Sequence, residues 1–176
     1  VIVDGDIILH KDFIKDHLHF SKKNHFVQGI RAKLSDKKAV EIFKSKQFKF
    51  AAFENGIKNK RNSVKSGILS CVFSGKRYFK KLDMLQTCNM AFFKEDCIKV
   101  NGFNEDFIGW GKEDSEFGAR LLNSGIKRRD LRFNAIGYHI HHEGNSRDML
   151  EENIRILNNT LEKKLLRCDN GINQYL

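Results

Sequence analysis

The sequence has no proline and only one tryptophan among its 176 residues. Without proline, glycine and asparagine must supply the turns between regular elements. No apolar run approaches the ~20 residues of a membrane-spanning helix, and no signal-peptide pattern opens the chain. The absence of a long apolar run argues against a membrane-spanning segment in this sequence.

The four cysteines lack the spacing of a metal-binding or redox motif. No two of them form a C-x-x-C pair, and none has zinc-ligand spacing. They are Cys71, Cys88, Cys97 and Cys168. We therefore expect reduced, mostly buried thiols in a cytoplasmic protein.

Apolar residues make up 40% of the chain, and 15 of them are phenylalanine. A chain of this length and composition can bury the core of one folded domain. Apolar spacing predicts strands at residues 1–3, 26–34, 87–93 and 132–142. It predicts helices at residues 11–20, 35–43, 94–100, 113–123 and 147–167. Mixed strands and helices of this kind indicate an α/β fold.

For three of these elements the sequence also predicts the position or the buried face. The stretch "FVQGIRAKL", residues 26–34, predicts one edge strand. Ser35 is a suitable N-cap for a helix that carries Ala39, Val40 and Phe43 on one face. The last helix has an apolar stripe that we expect to pack in the core or in a homodimer, formed by Leu150, Ile154, Leu157, Leu161 and Leu165.

Positive charge is concentrated between residues 44 and 81. The chain has a formal net charge of +10, and this segment alone holds nine lysines, two arginines and one acid, Glu54. A localised basic patch indicates an anionic partner, namely ligand phosphates, an acidic membrane surface or nucleic acid. A solvated lysine-rich face explains the same charge without a partner, and both interpretations stay open.

Phenylalanines alternate with lysines in the first part of this basic segment. Phe48, Phe50 and Phe53 stand among Lys44, Lys46 and Lys49. A cationic and aromatic surface is typical of proteins that bind at a membrane interface. We therefore expect the segment to dock on anionic lipid, at the inner face of the membrane.

Asp4 and Asp6, separated by Gly5, follow the first predicted strand. Open α/β sheets bind ligands at this end of their strands. Carboxylate oxygens suit Mg²⁺ or Mn²⁺ that bridges to a diphosphate, and Gly5 allows close backbone approach. An ordinary acidic turn is the alternative interpretation.

A histidine cluster, Tyr138-His139-Ile140-His141-His142, ends the strand at residues 132–142. On a strand, His139 and His141 share one face, and His142 begins the next turn. Imidazoles supplement carboxylates at Mn²⁺ sites, whereas surface histidines without a ligand are the alternative.

Residues 109–114, "GWGKED", place the tryptophan between two glycines and before two acids. An aromatic face can pack on the apolar face of a sugar, and the flanking glycines let such a loop close. Glu113 and Asp114 begin a predicted helix, where the helix dipole favours an ionised carboxylate able to accept a proton. A core tryptophan with an acidic helix cap is the alternative.

Three stretches together resemble a known family: "VIVDGDIILHKDFI", "CNMAFFKEDCIKVNGFNEDFIGWGKEDSEFGARLLNSG" and "YHIHH". They are similar to inverting glycosyltransferases with the GT-A fold, namely β-1,4-galactosyltransferases and the bacterial family-two enzymes of capsule, lipopolysaccharide and chondroitin-like polymers. The similarity covers residues 1–20 and 82–147, and the Trp-Gly-x-Glu-Asp segment is its most specific part. The resemblance implies a mixed sheet with flanking helices.

The resemblance also implies a role for each matching residue. Asp6 would bind Mn²⁺ (or Mg²⁺) and Asp4 would help to hold the nucleotide. His142 would be a metal ligand, with His139 as a second one. Asp114 would be the catalytic base, and the acceptor sugar would contact Gly109, Trp110, Gly111 and Glu113.

The implied substrates are a UDP-sugar donor and a saccharide or lipid-linked acceptor. In this family a nucleotide-binding half precedes the D-x-D strand, whereas here only residues 1–3 precede it. We therefore expect a C-terminal catalytic fragment that is inactive in isolation. Residues 1–146 would form the catalytic and acceptor-binding part, with a basic insertion at residues 44–81, and residues 147–176 the C-terminal helix.

Two other classes of protein remain as alternatives. "VIVDGDII" also resembles the nucleophile strand of haloacid-dehalogenase-type phosphatases, with Asp4 as nucleophile and Asp6 as acid. The basic segment alone would suit a nucleic-acid-binding module. Neither alternative accounts for Trp110, so nucleic acid is not the expected partner.

Overall fold

The computed structural model describes residues 1–74, 82, 84–142 and 144–176. Its strands are β1 (Ile2–Val3), β2 (Ile7–Leu9), β3 (His25–Gln28), β4 (Ile30–Lys33), β5 (Asn89–Ala91), β6 (Lys127–Asp130) and β7 (Ile136–His139). Its helices are α1 (Phe13–Phe20), α2 (Asp36–Ser45), α3 (Gly67–Phe73), α4 (Lys94–Lys99), α5 (Glu113–Asn123) and α6 (Leu150–Glu162). Two 3₁₀ turns cover Lys60–Ser63 and Ile172–Tyr175.

The strands form two mixed sheets. In the first sheet the order is β1-β5-β3-β6, where β5 is antiparallel to both neighbours and β3 is parallel to β6. In the second sheet the order is β2-β7-β4, with β2 antiparallel and β4 parallel to β7. These mixed sheets and flanking helices confirm the predicted fold class.

Asn89 of β5 joins the two sheets. Its side-chain amide donates to the carbonyl oxygens of Ile30 and Ala135, both at 2.7 Å, where β4 and β7 begin. Its side-chain oxygen lies 2.8 Å from Nε2 of the buried His17 in α1. Gly29 is required here because a Cβ atom at this position would collide with the Asn89 side chain. A single buried amide therefore ties one helix and both sheets together.

Three apolar clusters form the core. The largest lies between the first sheet and α5, and contains Phe26, Leu85, Met90, Val100, Phe117, Leu121 and Ile126. The second sheet packs against α2 through Ala32, Leu34, Ile42, Ile57, Ile136 and Tyr138. The third cluster lies beside α1 and contains Phe20, Val27, Leu131 and Ala135.

A buried ion pair fixes α5 to its surroundings. The Arg120 guanidinium donates to both carboxylate oxygens of Glu116, at 2.8 and 2.7 Å, and both side chains are fully buried. Arg120 also donates to the Gly102 carbonyl oxygen at 2.8 Å, and the Thr160 hydroxyl donates to Glu116 at 3.0 Å. Since every partner is satisfied, the pair holds α5 against α6 and the turn after α4.

The single edge strand predicted for residues 26–34 is wrong. Gly29 N donates to Asn89 O at 2.8 Å, and the chain passes there from the first sheet to the second. The segment therefore forms two strands, of which β3 is central in its sheet and β4 is an edge. Strand β6 was not predicted from "KRRD", because its place is set by pairing with β3 rather than by apolar residues.

Helix bounds were predicted unevenly, because α5 matches the prediction, whereas the helix predicted at residues 147–167 is shorter, at Leu150–Glu162, and α3 was not predicted. Ser35 caps α2 as expected, its hydroxyl accepting from Lys38 N at 3.3 Å. However, α2 buries Ala39 and Ile42, whereas Val40 and Phe43 are exposed. In α6 the buried residues are Asn153, Leu157 and Thr160, and Leu161 of the predicted stripe is exposed. Both helices are rotated relative to the predicted face, and in α6 the buried Asn153 and Thr160 make specific polar contacts in the core.

The four cysteines are free thiols, as expected, although Cys71 is exposed rather than buried. Within residues 1–74, 82, 84–142 and 144–176, no helix has the length and apolar character needed to cross a bilayer. Part of the predicted basic segment, residues 75–81, lies outside the described residues.

We predict that Asn89→Ala lowers the free energy of unfolding by about 3 kcal/mol or more. The substitution leaves two buried carbonyl groups and one imidazole nitrogen without partners, and each unsatisfied group costs about 1–3 kcal/mol. Urea denaturation followed by circular dichroism measures the change. Asn145→Ala, at an exposed position, is the control and should have little effect. A loss below about 1 kcal/mol for Asn89→Ala would contradict the role of this residue.

Candidate active site

Three side chains from two distant segments meet where β2 and β7 adjoin. The Nε2 atoms of His139 and His142 each lie 3.0 Å from Asp6 Oδ2. One ligand atom of each residue lies within 4.8 Å of the other two. The antiparallel register of β2 and β7 places Ile7 opposite His139, and Ile140 N donates to Asp6 O at 2.9 Å. Strand pairing therefore brings the N-terminal carboxylate to the C-terminal histidines.

The chemistry of this cluster suits a divalent metal ion. The Asp6 Oδ1 atom is buried and has no hydrogen-bond partner among the described residues, so it is available to a further ligand. Burial lowers the pKa of His139, which favours the neutral imidazole that binds metals. One carboxylate with two imidazoles fits Mn²⁺ better than Mg²⁺, which prefers oxygen ligands.

His141 lies outside this cluster. Strand β7 ends at His139, so the alternation that would place His141 on the same face does not continue. Instead, His141 Nδ1 lies 2.5 Å from Asp36 Oδ1 at the start of α2. Of the three histidines that the sequence leaves open as ligands, His139 and His142 lie in this cluster and His141 does not.

Asp4 lies beside the cluster, and the negative charge of Asp6 acts on the Asp4 carboxyl. Partial desolvation, followed by the charges of Asp6 and Asp114, raises the pKa of the Asp4 carboxyl. Arg31 and His142 act in the opposite direction. A concentration of carboxylates whose mutual repulsion is incompletely offset favours binding of a cation.

Asp114, the second residue of α5, is half-buried near the same carboxylates. Burial raises its pKa, and the neighbouring Glu113 adds to this effect. The Thr87 hydroxyl donates to Asp114 Oδ1, which opposes the rise. Desolvation is the largest of these effects, so the pKa of Asp114 is raised on balance. The result is a carboxylate more basic than an exposed aspartate.

The Trp110 loop is held in place by its neighbours. Gly111 has a φ of 116°, and a Cβ atom there would lie 2.8 Å from Leu150 Cδ1 of α6. Gly111 N donates to Glu113 Oε2 at 2.9 Å, and Asn153 Nδ2 donates to Ile108 O at 3.1 Å. The glycines thus have a conformational and a packing role, in addition to any part in loop closure.

Trp110 itself remains accessible. Its side chain is 42% exposed, and the Arg147 guanidinium lies 5.4 Å from the ring centroid. The arginine covers part of the indole, whereas the exposed part is open to a ligand. An indole in the core, which the sequence also allowed, is therefore excluded.

Two residues of this region were missed from the sequence. Thr87 is the hydrogen-bond donor to Asp114, and the Arg31 guanidinium lies 3.8 Å from Cys88 Sγ, with its charge acting on Asp4 and Asp114. Burial raises the pKa of Cys88 to about 11, so this neighbour is a neutral thiol. Neither Thr87 nor Arg31 belongs to a motif, and only the fold brings them to the carboxylates.

The family model described as the N-terminal domain of galactosyltransferase matches residues 67–143. The matched region contains the Trp110 loop, Asp114, His139 and His142. Asp6 lies outside the match and joins this region only through the pairing of β2 with β7.

Curated relatives are similar over shorter stretches. The chain is 36% identical over 72 residues to a chondroitin synthase of Escherichia coli, covering 35% of this chain and 10% of the relative. It is 45% identical over 58 residues to a chondroitin synthase of Pasteurella multocida (strain Pm70), covering 27% and 6%. It is 50% identical over 40 residues to a validoxylamine A glucosyltransferase of Streptomyces hygroscopicus subsp. jinggangensis (strain 5008), covering 23% and 10%.

The chain thus spans a tenth or less of the length of these curated relatives. The matches nevertheless agree with one another, since the family and all three relatives are named as transferases or synthases of sugar compounds. They also agree with the mixed sheets, the flanking helices and the position of the motifs in the fold. The matched residues 67–143 and the mixed α/β fold are thus similar to those of GT-A-like glycosyltransferases.

Proposed function

We propose that the chain is the metal-binding and acceptor-binding part of an inverting glycosyltransferase. One observation carries the proposal, namely the convergence of Asp114 and Asp4 with the cluster of Asp6, His139 and His142. Transfer of a sugar from a nucleotide diphosphate requires a basic carboxylate that lies beside a set of metal ligands. Residues 44–81 and the C-terminal helix would flank this catalytic part.

In the proposed reaction Asp114 accepts the proton of the acceptor hydroxyl. The hydroxyl oxygen forms a bond to the anomeric carbon of the donor sugar, and the bond from that carbon to the nucleotide diphosphate breaks. The bonding electrons leave with the phosphate oxygen, and the configuration at the carbon is inverted. A divalent cation bound by Asp6, His139 and His142 would offset the negative charge of the departing diphosphate.

The protein's own residues supply the rest of the reaction's requirements. The raised pKa of Asp114 increases its strength as a base, while the Thr87 hydroxyl holds one oxygen and orients the carboxylate. Arg31 adds a positive charge on the side of Asp4. The exposed part of the Trp110 ring would pack on the acceptor sugar, which the Gly109 to Glu113 loop would surround.

We further propose a UDP-sugar as donor and a cell-surface polysaccharide or a lipid-linked saccharide as acceptor. Two of the matched relatives are named chondroitin synthases, which supports a role in polymer synthesis. We place the reaction in the cytoplasm, where nucleotide-sugars would reach the enzyme. Release of free phosphate from a phosphomonoester would instead favour the phosphatase alternative, and salt-dependent oligonucleotide binding the nucleic-acid alternative.

We predict that Asp114→Asn abolishes most transfer in the full-length enzyme without loss of folding. An amide cannot accept a proton at neutral pH, and loss of a general base typically lowers kcat by about 10²–10⁴-fold. Steady-state assays with a UDP-sugar panel measure the effect. Glu113→Gln is the matched control and should raise KM for the acceptor more than it lowers kcat. A transfer rate near wild type for Asp114→Asn would show that Asp114 is not the base.

We predict that Asp6→Ala, His139→Ala and His142→Ala each weaken Mn²⁺ binding. The loss of a direct ligand should exceed the ~10–100-fold effect of losing an outer partner. Calorimetric titration of the full-length protein with Mn²⁺ measures affinity independently of activity. His141→Ala removes a neighbouring imidazole outside the cluster and should leave Mn²⁺ affinity unchanged. Equal affinities in all four variants would exclude this metal site.

The proposed lipid surface differs from the sequence-based one by one residue. Phe48 and Phe53 are more than half exposed, and so is Phe43 of α2. Phe50 instead stacks on Tyr138 in the core, with ring centroids 4.1 Å apart. We therefore propose that Phe43, Phe48 and Phe53, with the exposed Lys44, Lys46 and Lys49, contact anionic lipid.

We predict that Lys44→Glu, Lys46→Glu and Lys49→Glu together reduce cosedimentation with phosphatidylserine vesicles. Each lysine near an anionic surface contributes about 1 kcal/mol, so three together correspond to an effect on the order of 100-fold. The same charge reversal at the exposed Lys15, Lys22 and Lys23 is the control. If both triple variants bind vesicles equally, the surface at Phe48 is not a specific docking site.

A further inference from the structure

A second binding region lies next to the candidate active site and was not suggested by any motif. It is a groove of about 590 Å³, within the ~300–1,000 Å³ range of ligand pockets. We call it the Arg31 groove. The residues that matter for its chemistry are Arg31, Lys33, Arg61, Gln86, Arg128, Asp130, Arg132 and Phe133.

The groove lies at the carboxyl ends of the parallel strands β3 and β6. The last paired residues, Gln28 and Asp130, both line it. Ligands of α/β proteins bind at this end of parallel strands, because the strands diverge there and backbone groups become available. The position is therefore one where the fold itself creates a site.

The groove lining is connected to the candidate catalytic base through three consecutive residues. Gln86 lines the groove, Thr87 donates to Asp114, and the Cys88 thiol contacts Arg31. Gln28 fixes this segment because its side chain exchanges two hydrogen bonds with the Gln86 backbone, at 2.8 and 3.0 Å. The groove lining is therefore attached to the residues that contact Asp114.

Positive charge dominates the groove lining. Asp130 is the one acid among its described residues, and it accepts from Arg128 Nε at 2.8 Å. Arg128 and Arg132 already have partners within the protein, so they add to the positive potential of the groove without being its ligand-pairing groups. Among the described residues, no ion pair to a carboxylate is formed by Arg31, Lys33 or Arg61. These three cations are the groups that can bind an anion.

The backbone around these cations is fixed in advance. The side-chain amides of Asn59 and Asn62 both donate to the Arg31 carbonyl oxygen, at 2.8 and 2.9 Å. Asn59 Oδ1 also accepts from Lys33 N at 2.6 Å. The 3₁₀ turn that carries Arg61 is thereby attached to β4, which carries the other two cations. Such preorganisation lowers the entropic cost of binding a charged ligand.

We propose that the Arg31 groove binds the acceptor glycan, and that this glycan carries anionic groups. The inference rests on the proposed glycosyltransferase function and names its substrate class. Carboxylates or sulfate or phosphate esters would pair with Arg31, Lys33 and Arg61. Met84 and Phe133, which also line the groove, offer apolar surface for sugar rings, a feature that a site for simple anions does not need.

The test is a calorimetric titration of the full-length protein with a tetragalacturonate. Its carboxyl-reduced neutral counterpart and inorganic phosphate are titrated in parallel. We expect the uronate to bind at least about tenfold more tightly than either, and its affinity to fall steeply with salt. The double variant Lys33→Gln, Arg61→Gln should lose that preference. Lys127→Gln, at the other end of β6 and exposed, is the control that should keep it.

Equal affinity for the uronate and its neutral counterpart would overturn the proposal, and so would phosphate binding as tight as the uronate. Unchanged uronate affinity in Lys33→Gln, Arg61→Gln would also overturn it. The variant Asp114→Asn separates this inference from the catalytic one, because it should bind the uronate normally. If that variant transfers sugar while the uronate still prefers the groove, the base assignment fails and the groove assignment stands.

Discussion

The hydrogen bonds of Asn89 are the constraint on which the arrangement of this protein depends. The residue sits in β5 of the first sheet, and its amide satisfies the first carbonyl of β4 and the carbonyl just before β7 in the second. Buried carbonyl groups that lack partners are costly, so the two sheets have one favourable relative position. In that position Asp4, which precedes β2, lies near enough to Asp114 of α5 for their charges to interact.

The candidate active site is a consequence of that geometry. Carboxylates from three parts of the chain, Asp4, Asp6 and Asp114, are brought close enough to influence one another's charge. Such an arrangement destabilises the ionised forms unless positive charge lies nearby, and the fold places Arg31, His139 and His142 beside these carboxylates. The site therefore combines carboxylates that repel one another with the residues that would bind a metal ion and offset this repulsion. The same Arg31 also lines the cationic groove, so the groove adjoins the residues proposed as metal ligands and base.

Some parts of this arrangement follow from local sequence and others do not. The helix that begins at Glu113 was predicted to the residue, because its acidic first turn and its glycine-rich approach are local signals. The division of residues 26–34 into two strands was missed, since it depends on Asn89, which is distant in sequence. The buried faces of α2 and α6 were also misassigned. Apolar periodicity identifies a helix, but polar contacts such as that of Thr160 with Glu116 decide its rotation.

The sequence by itself determined which groups of side chains are candidates for function. They are paired aspartates after a strand, a tryptophan between glycines, two acids at a helix start and three neighbouring histidines. These signals are local, because each depends on residues a few positions apart. Only the tertiary structure decided which of them act together. It selected His139 and His142 over His141, added Thr87 and Arg31, and removed Phe50 from the surface. The physical reason is that strand pairing and burial, which set distances and pKa values, arise between residues far apart in the chain.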